Sequence, residues 1–128
     1  MSAASTRAAP RARDYVGVTG PDAVAHVQRL VSNDVEALGP GESCEALLLT
    51  PKARIIAPLV VLRRGHESLL LLTEPGLGET VARELLRMRF AARCQIEPEE
   101  HTSVVVLGAA EGGVPCADFG VPAVELLD

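Results

Sequence analysis

Aromatic side chains are scarce: Tyr15, Phe90 and Phe119 are the only three in 128 residues, and tryptophan does not occur. The core must therefore come from Leu, Val, Ile and Ala, and no platform for stacking bases can be assembled. Basic residues are outnumbered, 12 Lys and Arg against 17 Asp and Glu, which removes the cationic face that nucleic-acid binding requires. Cysteine is rare, odd in number and scattered. Cys44, Cys94 and Cys116 fit neither a disulfide framework nor a paired-cysteine zinc site, and they suit a reducing cytoplasm. No apolar run approaches the roughly 18 residues of a membrane helix, and the opening lacks the apolar segment of a secretory signal. That opening, MSAASTRAAPRAR, is rich in Arg, Ala and Ser and free of acids. It shares this composition with organelle transit peptides, but it is short and weakly patterned, and residues 1–13 are expected to form a disordered tail.

What remains is an aliphatic chain of one-domain length. DYVGVTG (14–20) alternates large and small residues and ends on glycine, as a strand and turn do. PDAVAHVQRLVSNDV (21–35) then changes period: Val24, Val27, Leu30 and Val31 share one helical face, with Pro21 and Asp22 suited to the first turn and Asn33 to termination. After the turn cluster LGPGE (38–42), three strands are expected at 43–50, 55–63 and 68–73, joined by PKAR and RGHE. Loops this short join antiparallel neighbours. EPGLGETVARELLRMRF (74–90) is a second amphipathic helix, with Leu77, Val81, Leu85 and Met88 on one stripe. RCQIEP and TSVVVLG supply two further strands, and residues 108–128 are broken by Gly and Pro into an irregular segment.

The order strand, helix, three strands, helix, two strands predicts an α+β fold. It is an antiparallel sheet with two helices that contains the ferredoxin-like split β-α-β series plus one strand. Two features of this sheet call for explanation. Pro58 lies inside IIAPLVVL, so it must sit at an edge, at a bulge, or where its missing N–H would face no partner. IIAPLVVL and LLLLT are also apolar at consecutive positions, so both sheet faces need cover while two helices cover one. The second face is expected to meet a ligand, a second copy in a homodimer, or a separate C-terminal half.

Residues 14–107 carry a family resemblance. A strand runs into Gly20, Asp22 and Ala23, a helix ends near Asn33, Asp34 and Val35, Gly41 precedes a hairpin, and Lys52, Ala53 and Arg54 stand at a tip of the Lys-Gly-Arg type. Together with LLRMRFAARCQI, this resembles the N-terminal domain of the YgfZ-like folate-binding proteins and of the glycine-cleavage T-protein (aminomethyltransferase). The resemblance implies a tetrahydrofolate-binding module. The T-protein carboxylate pair falls on Ala57 and Pro58, a pocket tyrosine near Glu45 and a strand asparagine near Thr73. The YgfZ-type Lys-Gly-Cys-Tyr-x-Gly-Gln-Glu segment has no counterpart here, and none of the three cysteines replaces it. The implied ligand-contacting set is Glu45, Lys52, Arg54, Ala57 and Thr73, with Lys52 and Arg54 facing the folate glutamate tail.

No catalytic or metal-binding constellation accompanies it. His26, His66 and His101 are too dispersed for metal ligands and suit surface or capping roles. Glu97, Glu99 and Glu100 around Pro98 read as a solvated turn. Gly76 and Gly78 precede a helix, where backbone N–H groups can meet an anion, but a helix start explains them without a ligand. Three readings follow: a non-catalytic folate-binding-type module in one-carbon metabolism or iron–sulfur enzyme maintenance, a tetrahydrofolate-dependent aminomethyltransferase, or a ligand-free interaction module.

Overall fold

The computed structural model describes residues 7–107, 113–115 and 123–128. In chain order the elements are β1 (Arg7–Arg11), β2 (Asp14–Thr19), α1 (Ala23–Gln28), β3 (Ser43–Leu49), β4 (Ile55–Gly65), β5 (Ser68–Thr73), α2 (Gly78–Arg87), β6 (Gln95–Glu99), β7 (Ser103–Leu107), β8 (Val114–Pro115) and β9 (Ala123–Leu127). They fall into two units, residues 14–100 and the described parts of 1–13 and 101–128.

In the 14–100 unit, five strands form one sheet in the order β3-β4-β5-β2-β6, every pair antiparallel. Without β3, the remaining four have the interleaved order of a split β-α-β unit, and β3 is the additional edge strand. The α+β fold expected from the sequence is the fold observed. One face carries Val16, Val18, Leu59, Val61, Leu69 and Leu71, which pack with Val27 of α1 and Val81 and Leu85 of α2 into the core. Each of these six strand residues is at most 3% exposed; a fully buried Leu or Val contributes roughly 1.5–3 kcal/mol. Tyr15, Leu70 and Leu72 alternate onto the other face and are buried as well. The consecutive leucines of β5 follow from this, since that strand is buried on both sides.

Pro58 sits inside β4, opposite Leu47 of β3. Its carbonyl accepts a hydrogen bond from Thr73 Oγ1 at 2.8 Å. A residue's N and C=O point to the same side of a strand, so the Pro58 nitrogen faces the β5 side, where the ladder has already ended at Val60↔Leu72. Of the three placements open to this proline, the N–H turned away from any ladder partner is the one used.

Both helices are shorter than the sequence pattern suggests, Ala23–Gln28 against 21–35 and Gly78–Arg87 against 74–90. The first stops early because residues 30–33 have another partner, the free edge of β3. Leu49 N–H donates to Leu30 O (2.9 Å), Ser32 N–H to Leu47 O (3.0 Å), Leu47 N–H to Ser32 Oγ (2.9 Å) and Asn33 Nδ2 to Glu45 O (2.9 Å). Four edge groups that would template another strand are thereby satisfied.

In the other unit the strands run β1-β7-β9-β8, again antiparallel. Residues 7–11 of the expected tail are strand β1, and the expected irregular segment contains β8 and β9. The boundary expected at residue 107 lies instead after Glu100, because β7 pairs with β1 and β9. Ala8, Ala9 and Pro10 show no strand signal of their own; pairing to the β-branched run of β7 supplies it, and Pro10 is tolerated because β1 is an edge. Glu125 of β9 is 1% exposed and held by Arg13, with Nε–Oε2 at 3.2 Å and Nη2–Oε1 at 2.9 Å. Cys116 lies outside the described residues.

Candidate functional site

The β3–β4 hairpin is closed by a short ring of bonds. Thr50 N–H donates to Arg54 O and Ala53 N–H to Thr50 O, both at 2.8 Å, and Arg54 N–H donates to Thr50 Oγ1 at 3.1 Å. This turn places Ala53 at φ +61, a left-handed backbone that favours glycine, at the middle position of the Lys-Gly-Arg pattern. Lys52 and Arg54 stand exposed on either side of it and make no ion pair among the described residues.

The other three positions separate. Glu45 is exposed opposite Val60, with its backbone carbonyl taken by Asn33. Ala57 is paired with Leu48 and 1% exposed inside the core, so it faces the helices, away from Glu45. Thr73 is 1% exposed and its hydroxyl is engaged by Pro58 O. A folate needs polar partners at the edge of its pterin ring and cations at the carboxylates of its glutamyl tail. Glu45, Lys52 and Arg54 are accessible groups of those kinds, whereas Ala57 and Thr73 are closed off. No buried side-chain nitrogen or oxygen among the described residues lacks a partner.

The glycines before α2 are occupied from within. Gly76 N–H and Gly78 N–H both donate to Asp14 Oδ2, at 3.0 and 2.9 Å. A Cβ at Gly78 would lie 2.8 Å from Asp14 Cβ, so glycine is needed there for the carboxylate to approach. The anion at this helix start is the protein's own.

His26, expected at the surface or at a cap, is fully buried and joins the helices: Nε2 lies 3.0 Å from Leu85 O and Nδ1 3.3 Å from Arg29 Nη2. A carbonyl only accepts, so Nε2 carries the proton and Nδ1 accepts from Arg29. Burial, reinforced by the positive charges of Arg29 and Arg89, pushes the imidazole below its ordinary value against the pull of the Leu85 carbonyl. Burial also raises the thiols of Cys44 and Cys94, which makes both poor nucleophiles. Among the described residues no cluster of three metal-ligating side chains occurs. Nor does any helix among them have the length and apolarity to cross a membrane.

A concavity of about 410 Å³ lies between α1 and the turn after α2, lined by Asp22, Ala25, Arg29 and residues 89–92. The helical pattern hid it. Arg89 and Phe90 read as the end of a longer α2, and only the isolated aromatic in an aromatic-poor chain marked the spot.

The chain is similar in sequence and in fold to known proteins. The aminomethyltransferase of Bacillus subtilis is 26% identical over 97 residues, 76% of this chain and 26% of that protein. Its Bordetella petrii counterpart is 49% identical over 47 residues, 36% of this chain and 13% of that protein. The crystal structure of glycine cleavage system aminomethyltransferase T from Bartonella henselae superimposes with a TM-score of 0.72, covering 80% of this chain and 28% of that one at 22% identity. The chain is thus T-protein-like in sequence and fold. It spans about a quarter of the length of the Bacillus and Bartonella proteins, as an N-terminal domain of such a protein would. No family profile matches the chain. Within the T-protein-like domain, Ala57 and Pro58 leave no carboxylate where the resemblance places a pair.

Proposed function

We propose that this T-protein-like domain is a tetrahydrofolate-binding module that does not itself carry the transfer step, as in the YgfZ-like branch of the resemblance. Its setting would be cytoplasmic one-carbon metabolism or iron–sulfur enzyme maintenance. The observation that carries the reading is the hairpin tip, where a closed turn presents Lys52 and Arg54 to solvent without ion-pair partners among the described residues. Two cations held a few residues apart suit the carboxylates of a folate glutamate tail, and the exposed Glu45 carboxylate can accept from the N–H groups of a pterin edge. With Ala57 buried and Pro58 beside it, the same stretch of β4 offers no acid or base for transfer.

Calorimetric titration with 5-formyltetrahydrofolate tests this. The chain is expected to bind in the millimolar range, the triglutamyl form more tightly than the monoglutamyl form. The Lys52→Ala/Arg54→Ala variant should remove the difference between the two forms. Absence of heat with either form refutes the reading. Equal affinity of the two forms refutes the role of the hairpin.

A further inference from the structure

We propose that the concavity between α1 and the turn after α2 binds a small oxyanion carried on a planar ring, an aryl phosphate or an aryl carboxylate. The first observation is Phe90. In a chain with three aromatic residues, this one is 85% exposed. It sits at φ +45 in a turn closed by Ala92 N–H to Arg89 O at 2.8 Å. Glycine or asparagine is the ordinary occupant of such a position. A bulky apolar side chain in a strained backbone and in water gains nothing for folding, and backbone outliers of this kind concentrate at ligand sites.

The second observation is charge. The protein has a net charge of −5, yet this concavity is cationic. The carboxylate of its one acid, Asp22, is already engaged by Arg93, whose N–H and Nε lie 2.7 and 3.3 Å from Oδ2. The Arg93 hydrogen bonds, backbone first, with the nearby charge of Arg29 contributing, hold that carboxyl below the usual carboxylate range. Arg29 uses Nη2 on His26, and Arg89 uses Nη1 on Cys94 O at 3.1 Å. Each guanidinium keeps other N–H donors for an anion. His26 behind them is held neutral, so it directs Arg29 without competing for the ligand. Ala25, Ala91 and Ala92 contribute small side chains to the lining. The volume of about 410 Å³ is within the range of small-molecule sites, and the exposed Phe90 ring offers a stacking face. The site shares no residue with the hairpin of the folate reading.

The test is a titration of the isotopically labelled chain with phenyl phosphate, benzoate and inorganic phosphate, followed by amide chemical shifts. Saturable shifts are expected at Ala25, Arg29, Phe90, Ala91 and Ala92, and whichever of phenyl phosphate and benzoate binds more tightly identifies the oxyanion. Arg29→Gln should weaken binding at least about tenfold, as loss of a charge-assisted bond does. Phe90→Gly suits the turn backbone and keeps the fold. It should reduce phenyl phosphate to the affinity of inorganic phosphate, while Lys52→Ala/Arg54→Ala should change nothing. Shifts that fail to saturate by about 10 mM, or that spread over arginines elsewhere, overturn the proposal. So does a Phe90→Gly chain that binds phenyl phosphate as the unmutated chain does.

Discussion

Arg64 and Glu99 meet over Gly17, with Nη1–Oε1 at 2.8 Å and Nη2–Oε2 at 2.9 Å. Their strands, β4 and β6, are separated in the sheet by β5 and β2, so the arginine must reach across two strands. It is steadied on the way by Ser68 Oγ at 3.2 Å and Leu69 O at 3.4 Å. A Cβ on Gly17 would overlap Glu99 Oε2. Gly17→Ala should therefore displace the carboxylate. The pair is partly exposed, 29% and 28%, so its loss costs at most about 1 kcal/mol. Removing a strand glycine returns roughly 0.5–1 kcal/mol. In a Glu99→Ala background only Arg64 Nη2, 3.2 Å from that Cβ and at the end of a flexible side chain, has to give, and the same substitution should then stabilise. The two effects nearly cancel in the unmutated background, and urea denaturation of the four chains reads the difference, close to zero there and stabilising with Glu99→Ala; equal effects in both backgrounds would show that Gly17 does not serve the pair.

The buried pair of the other unit should behave differently. Arg13 and Glu125 are 7% and 1% exposed at their side chains, with Arg11 adding a second cation at 3.9 Å. Removing Arg13 takes both close hydrogen bonds from the buried carboxylate and leaves it only the more distant Arg11, so Arg13→Met is expected to cost about 3 kcal/mol, the lower end for a broken buried pair. Replacing both, Arg13→Met with Glu125→Leu, should recover most of that loss, because the desolvation of two charges disappears with them. Thermal melts of the single and double variants decide it, and a double variant no better than Arg13→Met would contradict the account.

What could be read in advance depended on how local the cause was. The leucine and valine runs of β3, β4 and β5, and the stripe of Val81 and Leu85 on α2, follow from side-chain period alone, and with them the antiparallel α+β order. Elements made by a distant partner were not legible. Ala8 to Pro10 become a strand only because β7 lies alongside, and Ser32 and Asn33 leave a helical pattern because the edge of β3 claims their hydrogen bonds. The candidate site divides in the same way. Lys52 and Arg54 could be placed from a turn motif. That Ala57 faces the core while Glu45 faces the opposite side depends on strand register, which the residues of one strand do not specify. The helical period places Phe90 on α2, whereas among the described residues it is the one aromatic turned outward.

His26 sets a pH dependence. Its folded-state value lies below the ordinary 6.5, chiefly through burial, so the unfolded chain takes up the proton first. Stability from this residue is complete above pH 6.5 and declines as pH falls through 6.5 to the lower folded value. Protonating Nδ1 would also turn a donor toward Arg29, which already donates. Melting temperature should fall between pH 7.5 and pH 5, and in His26→Gln, whose amide can still donate to Leu85 O, this slope should flatten. The carboxylates of Asp22, Glu84 and Asp128 are all lowered from 3.8 or 4.5 and act in a more acid window. An unchanged slope in His26→Gln would assign the effect elsewhere.

The edge of β3 offers a test of what residues 30–33 are for. Ser32 Oγ takes the Leu47 N–H and Asn33 Nδ2 takes the Glu45 carbonyl, so Ser32→Ala with Asn33→Ala frees a donor and an acceptor on an outermost strand. Both groups are then open to water, and the stability cost should be only about 1–3 kcal/mol for the two bonds. The larger effect should be on association, because an open edge beside the apolar residues Leu47 and Leu49 is a template for another strand. Asp34→Ala is the comparison: it removes a turn bond, Ala37 N–H to Asp34 Oδ1 at 3.3 Å, and leaves the edge covered. On warming to a few degrees below each melting point, the Ser32/Asn33 variant should bind thioflavin T and scatter light while Asp34→Ala stays clear. Equal aggregation of the two would mean that lost stability, and not the uncovered edge, is responsible.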